Sequence, residues 1–163
     1  MARVQPLARI VCAGDSYVIR RALADDVASV VQLLAADQIA QDRDGGALAP
    51  YHRAFASIDA DSAQLLVVVA DAADIVVGTL QLSFIPGLAR RGALRAQIEA
   101  VRVAARLRGR GVGAAMLGWA IEEAKRRDCA LVQLTSDKRR SEAHRLYGRL
   151  GFVASHDGFK LRL

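Results

Sequence analysis

Residues 106–117 read RLRGRGVGAAML, with Gly109, Gly111 and Gly113 at alternate positions among Arg106, Arg108 and Arg110. Glycine inside a helix costs about 1 kcal/mol relative to alanine. Three glycines at the mouth of an apolar helical pattern therefore call for a chemical reason. The first turn of a helix presents backbone N–H groups without internal partners, together with the positive end of the helix dipole. Glycine lets that backbone approach a ligand closely and adopt positive φ. A diphosphate is the natural guest of such a cradle. The spacing excludes two familiar phosphate loops. No Lys-Ser/Thr pair follows, as a nucleoside-triphosphate loop requires, and the glycines run GxGxG rather than the dinucleotide GxGxxG. The pattern that fits is Arg/Gln-x-x-Gly-x-Gly/Ala, met by Arg108, Gly111 and Gly113.

Two further residue types can move protons. Glu99 is the sole acid between Asp74 and Glu122, in a segment (90–110) that carries seven arginines. Tyr147 lies in the run HRLYGRLGF, with Ala143, Leu146 and Leu150 at helical spacing around it. That face makes Tyr147 a core residue, a proton donor, or both. Glu99 is either a base or an ion-pair partner of Arg95 or Arg102.

The rest of the chain bounds the setting. Its 163 residues suit one domain, and 53% hydrophobic content supports a core of Ala, Val, Leu and Ile, because only 5% is aromatic. The net charge of +6 is almost all arginine and points to anionic ligands. Nucleic acid is the less favoured one, since stacking residues are few and the arginines gather around the glycines. Cys12 and Cys129 form no disulfide framework, and His52, His144 and His156 show no metal-ligand spacing, so no metal is expected. No apolar run reaches membrane-helix length and no signal-peptide core is visible, which gives a cytoplasmic expectation. Residues 1–16 read as a loose N-terminal extension, and 17–163 as a single domain.

Periodicity supplies the elements that must hold these residues. A strand is expected at 17–21. A helix capped by Asp25 or Asp26 follows, with Val27, Val30, Val31, Leu34 and Ile39 on one face, and a second helix at about 51–58. Runs 64–71 and 75–85 read as an antiparallel hairpin, and 94–103 as another strand. In that strand Leu94, Ala96, Ile98 and Ala100 are apolar at even positions, then Val101 and Val103 at odd ones. A period-2 strand changes faces only through an irregularity, so a β-bulge is expected within 99–101. A helix at 111–127, a strand at 130–136, a helix at 139–150 ending on Gly151, and two short strands (FVAS and GFKLRL) complete the order. The fold class is α/β: a mixed, mostly antiparallel sheet with a bulged central strand and about four helices.

Val101-Arg102-Val103, the loop and RGRGVGAAML together resemble the acetyl-CoA-binding motif of the GNAT superfamily of N-acetyltransferases. HRLYGRLGF resembles that family's second cofactor motif, with Tyr147 at its tyrosine position. The element order matches from about residue 17 onward. The resemblance implies that acetyl-CoA is the co-substrate and a primary amine the acceptor. It implies that the backbone of Val101 and Val103, flanking Arg102, binds the pantetheine arm along the splayed strand. Backbone N–H groups from Arg108, Gly109, Arg110, Gly111, Val112, Gly113 and Ala114 would hold the pyrophosphate. Many members carry Asn three residues before the alanine matching Ala143. Here that residue is Arg140, and Arg140 or Lys138 can meet a phosphate instead. His144, three residues before Tyr147, is a cofactor contact or a surface residue.

Acetyl transfer has two proton problems. The acceptor is an ammonium at neutral pH and must lose a proton, while the departing thiolate leaves best once protonated. On the GNAT reading Glu99 serves as base, directly or through one water, and Tyr147 as acid. The acceptor pocket would involve the loop after the first helix, with Asp42, Asp44, Tyr51 and His52. The turn carrying Arg90, Arg91 and Arg95 would suit an acidic substrate group. A non-catalytic acyl-CoA sensor uses the same cradle without turnover. A homodimer is the assembly left open.

Overall fold

Long β-branched runs dominate the centre of the chain and build one six-stranded sheet in the order β1-β2-β3-β4-β5-β6. The computed structural model describes residues 5–36, 44–161 and 163. The strands are β1 (Ala8–Cys12), β2 (Asp15–Arg21), β3 (Gln64–Ala70), β4 (Val76–Pro86), β5 (Leu94–Val103) and β6 (Leu131–Leu134). The first five pair antiparallel, and β6 lies parallel to β5. The helices are α1 (Val27–Ala35), α2 (Ala49–Ala60), the short turn α3 (Ala89–Gly92), α4 (Val112–Arg126) and α5 (Ser141–Arg149). No helix among the described residues is long and apolar enough to cross a membrane.

The two sheet faces are covered differently. On one, Leu65, Val67, Leu80, Leu82, Ala96 and Ile98 pack with Met116, Leu117 and Ala120 of α4. The other carries a smaller cluster in which Val30 and Leu34 of α1 and Phe55 of α2 meet Leu66, Val68 and Val76. The β2–α1 junction is fixed by a buried ion pair. Arg20 Nη1 donates to Asp26 Oδ2 at 2.6 Å and Nη2 to Oδ1 at 3.1 Å, and Oδ2 also accepts the Leu23 N–H at 2.7 Å.

Two expectations are corrected. Residues 8–12 of the expected loose extension form β1, which pairs with β2 in full register. Its turn is Ala13-Gly14, both at positive φ (51° and 87°), between the opposed Cys12 and Asp15. A two-residue hairpin turn of this type I′ kind needs positive φ at both positions and usually advertises it with Asn-Gly. Alanine hid that signal. At the other end, FVAS and GFKLRL form no strand among the described residues, and Phe159 and Leu161 stay exposed. Phe159 and Leu161 alternate with polar neighbours, but that segment has no ladder partner among the described residues. Ile39 and Asp42 lie outside the described residues.

Candidate active site

The predicted bulge is present and opens the sheet. Gln81 of β4 faces Glu99 and Thr79 faces Arg102, so two steps on β4 meet three on β5. Ala100, the residue inserted there, has φ 53°. The shift lets Val101 and Val103 join the same core as Ala96 and Ile98. β6 pairs β5 only opposite Arg95, Ala96, Gln97 and Ile98. Beyond Ile98 no strand among the described residues pairs with that edge of β5. Ala104 donates its N–H to Val77 O of β4 at 2.8 Å. Backbone groups alternate sides along a strand, so those of Val103 and Val101 face the open edge. There the Arg102 guanidinium takes the Val101 carbonyl at 2.8 Å.

The glycine loop follows directly. Gly109 and Gly111 have φ of 75° and 88°, and Gly111 is the N-cap of α4. An alanine at 111 would meet nothing within 4 Å, so its cost is conformational, about 1–2 kcal/mol for a left-handed residue. Gly113 lies under Val103, whose Cγ2 is 3.7 Å from where a side chain would begin. The expected amide cradle needs one correction. Arg108 and Arg110 spend their N–H groups on Ala105 O and Leu107 O, closing the preceding turn. The amides of Gly109, Gly111, Val112, Gly113 and Ala114 have no acceptor among the described residues. Arginine at the intervening positions shapes the loop; the glycines and the helix start present the donors.

The arginine side chains divide. Arg106 pairs with the half-buried Asp71 at 3.5 Å, and Arg110 with the exposed Asp15 at 3.2 Å. These pairs line a cleft of about 330 Å³ between the loop and the two hairpin turns. Arg108 has no ion pair among the described residues. The tethering acids Asp15 and Asp71 escaped sequence reasoning because each lies on a separate turn.

Tyr147 is held by the end of α5. Phe152 N–H donates to Tyr147 O at 3.0 Å, and Gly151 N–H, at φ 90°, to Gly148 O at 3.0 Å. This is the left-handed cap the sequence assigned to Gly151, and its characteristic apolar contact is present. The Tyr147 and Phe152 rings meet edge-on with centroids 6.0 Å apart. Burial pushes the Tyr147 phenol above its ordinary pKa, against the opposing influence of Arg140, Arg102 and the Ser136 hydroxyl. The group is thus a neutral O–H donor at physiological pH.

An open strand edge, a glycine cradle and a capped tyrosine on one side of the sheet admit a comparison with known proteins. The acetyltransferase (GNAT) family pattern matches residues 28–152. The chain belongs to this family. A transcriptional regulator from Bacillus halodurans C-125 is 41% identical, with TM-score 0.86 over 90% of this chain and 99% of that one. An acetyltransferase fold from Clostridium acetobutylicum, solved with acetyl-CoA, superposes with TM-score 0.71 at 18% identity, over 90% of this chain and 96% of the other. An aminoalkylphosphonate N-acetyltransferase of Salmonella typhimurium is 36% identical over 63 residues, or 39% of this chain and 41% of that protein. The match therefore spans less than half the length of that relative.

The remaining expected residues of this GNAT chain have varied surroundings. Glu99 is exposed at the bulge, with no ion pair or hydrogen bond among the described residues. Arg140 is the N-cap of α5, and its charge acts on Tyr147. His144 Nε2 lies 3.0 Å from Asp137 O, a carbonyl that can only accept, so that nitrogen carries the proton. Hydrogen bonds from Arg139 hold the Asp137 carboxyl well below the usual carboxylate range. Tyr51 is structural, its hydroxyl accepting the Gly45 N–H at 2.8 Å. Cys129 is half-buried, and burial raises its thiol pKa, which suits packing rather than nucleophilic attack.

Proposed function

We propose that the protein transfers the acetyl group of acetyl-CoA to a primary amine by direct attack. The observation that carries this reading is the adjacency of the unbonded amides at Gly109 and 111–114 to the open edge at Val101 and Val103. The cradle suits a pyrophosphate and the edge suits a pantetheine arm lying as an extra strand. Together they aim a thioester at the bulge beside Glu99.

The amine attacks the thioester carbonyl, the C–N bond forms, and the C–S bond breaks as the tetrahedral species collapses. Glu99 takes the ammonium proton before attack, directly or through one water. Tyr147 gives its phenolic proton to the leaving sulfur, and the second amine proton, lost as the amide forms, returns through solvent to the Tyr147 phenolate while Glu99 releases the first to bulk water. Holding both reactants in the cleft supplies much of the acceleration. On this reading Arg102, Arg140 and His144 contact the cofactor.

Glu99→Gln is expected to lower turnover at neutral pH about a hundredfold, the low end for a general base. Raising the pH should restore part of that loss, because a free amine needs no base. A loss that stays constant across pH in steady-state assays would remove Glu99 from the role.

A second reading is favoured by the 41% identical relative described as a transcriptional regulator. A non-catalytic acyl-CoA sensor would bind acetyl-CoA, release no thiol with any amine and tolerate Tyr147→Phe. Thiol release from acetyl-CoA across an amine panel separates the two.

A further inference from the structure

The sheet face opposite α4 carries an unassigned polar row. Ala96 and Ile98 point into the α4-side core, so Arg95, Gln97 and Glu99 point the other way. Register sets Gln64, Ser83, Gln97 and Gln133 directly opposite one another on β3, β4, β5 and β6. Their side chains are linked in two separate groups. Ser83 Oγ donates to Gln64 Oε1 at 2.7 Å, Gln81 Nε2 to the same oxygen at 2.9 Å, and Gln133 Nε2 to Gln97 Oε1 at 2.6 Å. α1 and α2 cover the neighbouring apolar patch at Leu66 and Val68.

Two opposite charges flank this row on β5, Glu99 two residues to one side and Arg95 two residues to the other. Their α-carbons are about 13 Å apart at strand rise. Neither makes an ion pair or hydrogen bond with a described residue, and Arg95 Nε is buried without a partner. The Arg95 guanidinium rests against the β4–β5 turn, with Nη1 4.0 Å from where a side chain on Gly87 would begin. That turn also carries Arg90 and Arg91, exposed and without acid partners among the described residues. A half-buried cation with an unsatisfied N–H is costly to leave unpaired.

From these features we infer that the row is the acceptor floor, and that the acceptor is a small amine bearing its own anionic group. The ammonium end sits at Glu99, the anion is held by Arg95, and the glutamine amides meet polar atoms between. Arg95 is the specificity-determining residue. Polyamines are disfavoured by Arg90, Arg91 and Arg95. The role of Glu99 here rests on the acetyl-transfer reading; the anion preference does not.

The test is equilibrium binding in the presence of saturating CoA, which keeps acceptors out of the phosphate cradle. The probes are 2-aminoethyl phosphate, β-alanine, ethanolamine and putrescine. At least one of the two anionic amines should bind ten-fold or more tighter than ethanolamine, and which one does so identifies phosphate or carboxylate as the anion. Arg95→Met should erase that preference with CoA affinity unchanged, and Arg95→Lys should keep part of it. Ethanolamine or putrescine binding as tightly as both anionic amines to the wild type would overturn the proposal, as would an undiminished preference in Arg95→Met. Selective binding without thiol release from acetyl-CoA would sink the enzyme reading alone. Thiol release without anion preference would sink this inference alone.

Discussion

Tyr147→Phe should lower turnover about a hundredfold, within the usual span for a general acid, and change acetyl-CoA affinity less than about twofold. The ring is what α5 holds. It packs on the core and meets Phe152 edge-on within the helix cap, and phenylalanine keeps both contacts. Only the hydroxyl is lost. Because burial raises its pKa above the ordinary tyrosine value, the donor is protonated through the neutral range. In the wild type, loss of the acid should therefore cut activity only at pH values above the ordinary tyrosine range. The variant should lack that alkaline limb. The same shift makes a small contribution to stability, present below the unfolded pKa and lost as pH rises through the folded one. Steady-state kinetics over pH, with acetyl-CoA titrations alongside, measure all of this. An equal fall in affinity with turnover intact would assign Tyr147 to packing alone.

The second large effect lies away from the chemistry. Asp26→Ala should destabilise the fold by about 3–5 kcal/mol, because it leaves the Arg20 guanidinium buried without its partner. Arg20 and Asp26 are 6% and 7% exposed, so water cannot take over the lost bonds. Asp74, at 3.3 Å, is largely exposed and replaces little of the bidentate contact. For a chain this long the melting temperature should fall by roughly 10 °C. The double change Arg20→Met with Asp26→Leu should recover much of the loss, since removing both charges removes the desolvation cost. A thermal melt of Asp26→Ala within a degree or two of wild type would show that the pair contributes little.

The parts of this site that were legible in the sequence are those carried by short-range signals. The bulge appeared as a slip in alternation between Ala100 and Val101, and Gly151 as a helix terminator. The glycine loop before α4 was legible from the spacing of Gly109, Gly111 and Gly113. What stayed hidden depends on register. Gln64, Ser83, Gln97 and Gln133 are unremarkable in their own strands and form a row only once four strands are aligned. Asp15 and Asp71 reach Arg110 and Arg106 from turns distant in sequence. β1 was missed because Ala13 occupies a left-handed position normally filled by Asn or Gly. Which loop amides are free also needed the fold, since two of the expected donors close their own turn.

The central claim is that this cradle delivers an acetyl group to an amine. Its most direct measurement is thiol release from acetyl-CoA with 2-aminoethyl phosphate, β-alanine and a neutral amine, with N-acetylated product quantified by mass. One thiol released per acetylated amine, with an anionic amine the best acceptor, is the predicted result. Tight acetyl-CoA binding with no thiol release above buffer for any of them would contradict it.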